Sequence, residues 1–209
     1  HANSVIHYPY AGYFGVRELD SLFLFDAAAL APDHLPAHGH GDALSFEWSV
    51  GGQRIAVDPG VYEYNSGTLR DCSRSTKNHN TVTLNDQDQS EFWGSFRVGN
   101  RARIIKRELV EQEDGVTFVA AHDGYIRLQG RPVHQRGVTI KAGSVTIEDN
   151  IKDGEGQIAV SRIMLAPDVD VELTAAGCVL LKSGVKIIVV SDNEIKLEEA
   201  YCYMDFGCQ

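Results

Sequence analysis

Short alternating runs, cut by turn signals, constrain this chain more than any other feature. Glu113-Asp114-Gly115, Ala142-Gly143, Asp153-Gly154 and Ser183-Gly184 punctuate the second half. Turn signals roughly every 8 to 12 residues mark hairpin arms in a sandwich or barrel. In ALSFEWSV, Leu44, Phe46 and Trp48 fall on one face. Gly51-Gly52 is a two-residue hairpin signal, after which QRIAVDPG returns and stops at Pro59-Gly60. NTVTLND, SFRVGNRARIIKREL (two strands joined at Gly99-Asn100), GVTFVAAHDGY, RPVHQRGVTI, SVTIEDNI, GQIAVSRIMLA, VDVELTA, VKIIVV and IKLEEAYCYM read as further strands. Leu19 to Leu30 is either a helix or a strand followed by a loop. The pattern predicts one all-β unit over residues 1–209, a large antiparallel β-sandwich with little helix.

Composition narrows the function classes. The chain has 209 residues and a formal net charge of -10, which argues against nucleic acid as partner. No apolar run reaches the roughly 18 to 20 residues of a membrane-spanning helix. Basic residues nevertheless cluster locally. From Arg70 to Arg107 stand Arg70, Arg74, Lys77, Arg97, Arg101, Arg103, Lys106 and Arg107, against Asp71, Asp86, Asp88 and Glu91. They are either solvated strand faces or a surface for an acidic ligand, with Arg70 and Arg74 the candidates to meet an acidic sugar. Cys72, Cys178, Cys202 and Cys208 match no zinc-ribbon spacing, and Cys202 could pair with Cys208. No signal-peptide pattern opens the chain, which starts at His1 and reads as an excised or processed piece.

Metal-ligand residue types concentrate at three strand ends. They are His38-Gly39-His40, Asp58 in VDPG, and His79 in STKNHNTVTL. Zinc accepts imidazole nitrogen and carboxylate oxygen, so this set would suit it. A polar turn is the competing reading of PAHGHGDALSF. A plain hairpin at Gly51-Gly52 pairs Asp58 with Ser45, so a bend at Gly39 and Gly41 is needed to bring His40 closer. Asp42 is either an acceptor orienting a histidine or a turn residue. His122 and His134 read as satisfied or exposed strand histidines. Trp93 reads as core, with a sugar-stacking platform as the alternative. Tyr8, Tyr10, Tyr13, Tyr62 and Tyr64 are all candidates to line a cleft.

The pieces H-x-H-x-D before a strand, D-P-G after the hairpin, R-S-T-x-x-H-N-T and Q-S-E occur in order between Ala37 and Arg103. In this the chain resembles the heparinase II/III-like family of bacterial polysaccharide lyases. The resemblance implies a β-sandwich that follows a helical (α/α) toroid, the toroid being absent here. It implies a zinc ion on His40, Asp58 and His79, and a catalytic role for His38 in the cleft. It also implies an acidic, uronic-acid-containing polysaccharide as substrate and a periplasmic or secreted parent. Such lyases abstract the proton beside the uronate carboxylate and expel the glycosidic oxygen. His38 would be the base or a donor to that carboxylate. Zinc would fix the loop carrying His38 rather than touch substrate. The alternative is a non-catalytic carbohydrate-binding or scaffolding module with a structural metal.

Overall fold

The structure is a computed structural model and describes residues 4–203. Its larger sheet has five antiparallel strands in sequence order, β1 (Ser4–Tyr8), β2 (Tyr13–Glu18), β3 (Ser21–Asp26), β4 (Phe46–Val50) and β5 (Gln53–Ala56). Leu19 to Leu30 is thus strand and then loop. The segment α1 (Thr68–Arg74) and the short strand β6 (Val82–Leu84) follow. A second meander holds β7 (Ile104–Gln112), β8 (Gly115–His122), β9 (Val133–Lys141) and β10 (Ser144–Lys152). β11 (Ala159–Ser161) pairs with β6. β12 (Asp170–Thr174), β13 (Gly177–Lys182) and β14 (Val185–Val190) form a three-stranded sheet.

The two large sheets pack face to face, which confirms the all-β sandwich. Phe14, Val16, Phe23, Phe25 and Phe46 of the first meet Val116, Phe118, Ala120, Val138 and Ile140 of the second. These residues alternate along their strands, as a half-buried sheet requires. Trp48 lies where this core meets the smaller cluster of Ile55, Cys178 and Leu180. At the β4–β5 turn Gly51 and Gly52 have φ of +56° and +72°, the left-handed pair a tight hairpin wants.

Several expectations are corrected. Gly99-Asn100 joins no hairpin of strands; residues 95–103 hold no strand, and Val98 makes an isolated bridge to Phe92. Residues 195–203 carry no regular structure, although IKLEEAYCYM alternates. Trp93 is 68% exposed, so it is not core. The Cys202–Cys208 pairing lies outside the described residues, since Cys208 is not among them.

Candidate functional site

Three loops converge at one end of the larger sheet. The first carries His38, His40 and Asp42 into β4. Pro36–His38 forms a single 3₁₀ turn, so His38 and His40 do not share a face as an extended segment would place them. His38 is exposed and meets the Tyr64 ring edge-on, 5.3 Å between centroids. His40 is turned inward, its ring 5.3 Å from that of His79. The glycines between them serve close approach rather than a special φ. A Cβ on Gly39 would lie 2.1 Å from Leu30 Cδ2, and one on Gly41 2.3 Å from Thr76 Oγ1.

The second loop carries Asp58. The plain hairpin register fails because a bulge between Trp48 and Ser49 shifts the pairing by one, giving Trp48↔Ala56. Val57 then leaves the hairpin and donates its N–H to Met164 O at 2.9 Å. Asp58 Oδ1 accepts the Gly60 N–H at 2.9 Å, and Oδ2 lies 2.8 Å from His79 Nδ1.

The third loop carries His79, which is 0% exposed. Its Nε2 is buried with no hydrogen-bond partner. His40, Asp42 and His79 each place a donor atom within 4.8 Å of the others. Asp58 joins the same cluster through its contact to His79. Of the expected set, His40 and His79 are brought together with Asp42, while Asp58 reaches them through its contact to His79 and is not one of the three donor groups that lie mutually close.

The electrostatics are those of crowded, partly buried carboxylates around a buried histidine. Burial raises the Asp42 carboxyl, and the neighbouring Asp58 adds to the rise while His79 opposes it. Asp26, at the end of β3, is pushed up to about 7 by burial and then by Asp42. Burial would also raise Asp58, but the hydrogen bond and charge of His79 and the Gly60 N–H hold it below the usual range. Burial disfavours a charged His79, yet Asp58 and Asp42 raise it overall. His40 is pushed down to about 3 by burial and then by His79. Its Nε2 lies 3.3 Å from Arg70 Nη1, and a guanidinium only donates, so that nitrogen carries a lone pair. Two imidazoles and a carboxylate cluster, with one imidazole nitrogen lacking any partner, make a donor set that fits a zinc-sized cation.

Arg70 and Arg74 are 0% and 1% exposed, so neither presents its guanidinium to solvent as a sugar-binding arginine would. They grip the histidine loop from behind. Arg70 Nη2 donates to Ala37 O at 3.2 Å, and Arg74 Nε to Gly39 O at 3.0 Å. The backbone returns the contact, Gly41 N–H reaching Arg74 O at 2.8 Å. Arg70 stacks on Tyr64 and Phe96, and Arg74 on Phe92.

Other motif residues, left without a role by the sequence, are fasteners. Asn80 Nδ2 donates to Phe46 O at 2.7 Å and Val57 O at 3.0 Å. Thr81 Oγ1 donates to Ala43 O at 2.8 Å. Gln89 Nε2 reaches the same carbonyl at 2.9 Å, while its backbone N–H donates to Thr76 Oγ1. Ser90 Oγ accepts the Ala102 N–H, and Glu91 holds Asn100. No sequence periodicity announces such bonds, because their partners lie from 9 to 46 residues away along the chain.

The comparisons agree with this architecture. The profile described as "Heparinase II/III-like, C-terminal" matches residues 2–207. The chain belongs to that family, the C-terminal β-sandwich of heparinase-like polysaccharide lyases. Among solved structures it is similar to a heparan sulfate lyase HepC mutant from Pedobacter heparinus. There the TM-score is 0.65 and the identity 18%, over 86% of this chain and 27% of that one. It is also similar to a heparinase III gene product, with a TM-score of 0.55 and 20% identity over 70% of this chain and 22% of that one. The chain thus spans about a quarter of the length of these relatives. Curated proteins gave no match.

Proposed function

We propose that this chain is the metal-bearing β-sandwich side of the active site of a periplasmic or secreted lyase that cleaves an acidic, uronic-acid-containing polysaccharide by β-elimination. The carrying observation is a division of labour within three residues. His38 is exposed, and His40 is turned the other way, towards the buried His79 and the carboxylates Asp42 and Asp58. Zinc would be held by His40, His79 and a carboxylate, with Asp58 the expected ligand and Asp42 the second carboxylate at the same place. When bound, it would neutralise the crowded carboxylates and lock the loop that carries His38.

The chain's own groups supply the rest. The Arg70 and Arg74 bonds to Ala37 O and Gly39 O hold the His38 backbone from below. His38, exposed two residues before His40, takes the proton beside the substrate carboxylate or donates to that carboxylate. The remaining groups, including a tyrosine acid/base, would come from an N-terminal (α/α) toroid of the parent, and this domain by itself would have little or no activity.

The test is to incubate the toroid-bearing parent with heparin, heparan sulfate and alginate and follow unsaturated products by ultraviolet absorbance. Product from one uronate polymer, lost on His38→Ala, is expected. No product from any of them, with zinc still bound one per chain, would replace this reading with a carbohydrate-binding module carrying a structural metal.

A further inference from the structure

Outside the candidate site lies a second buried polar cluster that the reading above leaves unused. It consists of His122 at the end of β8, His134 and Arg136 on β9, and Asp149 on β10. His122, His134 and Arg136 are each 0% exposed. The partners fix the protons. Gly124 N–H donates to His122 Nδ1 at 3.1 Å, so the His122 proton sits on Nε2. It points at His134 Nδ1, 3.2 Å away, which leaves the His134 proton on Nε2. That proton is donated to Asp149 Oδ1 at 2.7 Å. Arg136 grips both oxygens of the same carboxylate, Nε to Oδ1 at 2.7 Å and Nη2 to Oδ2 at 2.8 Å. Ser161 Oγ adds a bond to Oδ2 at 3.0 Å. The donors run in one direction, both imidazoles are neutral, and every ring nitrogen is satisfied.

The free end of Arg136 leaves this cluster for the candidate site. Nη1 donates to Leu44 O at 2.7 Å and to Asn80 O at 2.5 Å. Leu44 lies two residues after Asp42, and Asn80 directly follows His79. Leu44 is also strained, a fully buried non-glycine residue with φ of +63°. Such a conformation persists only where its surroundings over-determine it. The Leu44 N–H goes to Asp26 O, and Arg136 takes its carbonyl. A planar guanidinium fixed by a bidentate carboxylate reaches two carbonyls from a set direction; a lysine ammonium does not.

We propose that Arg136 is a positioning residue for the candidate metal site. Oriented by Asp149 and the His134–His122 pair, it clamps the His40–Asp42 loop to the His79 loop at a fixed separation. The assignment of a metal to those loops rests on the function proposed above; the clamp itself does not.

The experiment compares wild type with Arg136→Lys, Arg136→Met and Asp149→Asn. Zinc affinity is measured by competition with a chelator, and amide hydrogen exchange is followed on the metal-free proteins. A supporting outcome is zinc affinity lower by about 10- to 100-fold in Arg136→Met, the range for removing a group that orients metal ligands. Arg136→Lys should fall between it and wild type. Exchange should quicken at the amides of Gly41, Ser45 and Thr81, whose acceptors lie within the two loops or in Arg74. The Phe118 and Val138 amides of the β8–β9 ladder should keep their protection. If Arg136→Met does not fold, the Lys and Asn variants give the same comparison. Unchanged affinity in folded variants, or faster exchange spread evenly over β8, β9 and β10, overturns the clamp. Should wild type take up no zinc, the metal reading fails alone, and exchange confined to the loops or spread over the sheet still decides for or against the clamp.

Discussion

His38 and His40 are separated by one glycine and meet different surroundings. The 3₁₀ turn at Pro36–His38 leaves one ring at the surface against Tyr64 and sends the next inward to His79. Replacing them should therefore have different consequences. His38→Ala in the full-length parent should lower turnover by about 10²- to 10⁴-fold, the usual contribution of a positioned acid or base. Bound zinc and the melting temperature should stay as in wild type, which metal analysis and calorimetry will read. His79→Ala should instead lose the zinc, because His79 contributes the buried imidazole whose Nε2 has no other partner. The two carboxylates separate by the same assay. If Asp58 is a ligand, Asp58→Asn should weaken zinc binding far more than Asp42→Asn; the reverse order would make Asp58 the residue that fixes the His79 ring. The residue types and order of His40, Asp58 and His79 were legible in the sequence. Their closeness was not, because the 3₁₀ turn at Pro36–His38 and the departure of Val57 from the hairpin to Met164 O are features that alternation cannot reveal. Asp42 was readable only as an orienting acceptor or a turn residue, and its donor atom proves to lie within reach of both histidines.

Among the elements, those whose cause is local were the readable ones. Gly51-Gly52 turns where its φ values demand glycine, and β8, β9 and β10 follow their alternation. α1 escaped notice because its buried face is Arg70, Ser73 and Arg74, not an apolar stripe. Those arginines are buried because carbonyls of the histidine loop accept their protons, a fact of tertiary structure. The same long-range logic explains Gly41. A Cβ there would lie 2.3 Å from Thr76 Oγ1 and 3.1 Å from Thr76 N. Thr76 cannot retreat freely, since its hydroxyl accepts the Gln89 N–H and its own N–H goes to Asp88. Gly41→Ala should thus cost about 1 to 3 kcal/mol in urea unfolding, the range for overpacking a filled interior. A change below about 0.5 kcal/mol would show that the loop yields.

At the scale of the whole molecule, the His122–His134–Asp149–Arg136 cluster ties the second meander to the site and makes stability depend on pH. Burial pushes His122 well below its ordinary value, with His134 and Arg136 adding to the drop. His134 is lowered by burial too, even though Asp149 pulls the other way. Both are therefore neutral in the folded chain at a pH where an unfolded chain protonates them. Below the ordinary histidine value of about 6.5 the unfolded state binds more protons than the folded one. Stability is then fully present above that pH and is lost as pH falls through it. The slope approaches about 1.4 kcal/mol per pH unit for each such histidine. His79 acts with the opposite sign, since its folded value is raised. A difference measurement removes it. Urea unfolding of the metal-free protein at pH 7.5, 6 and 5 should show a shallower loss in His122→Gln than in wild type, by up to about 1.4 kcal/mol per unit below pH 6. Burial would raise Asp149, but Arg136 and the His134 hydrogen bond hold it far below the usual carboxylate range. Its contribution is present above about pH 4 and fades only in stronger acid, so it leaves the comparison between pH 6 and 5 untouched. Equal slopes in the two proteins would mean that His122 is not buried in its neutral form, and the one-directional donor chain from Gly124 to Asp149 would have to be redrawn.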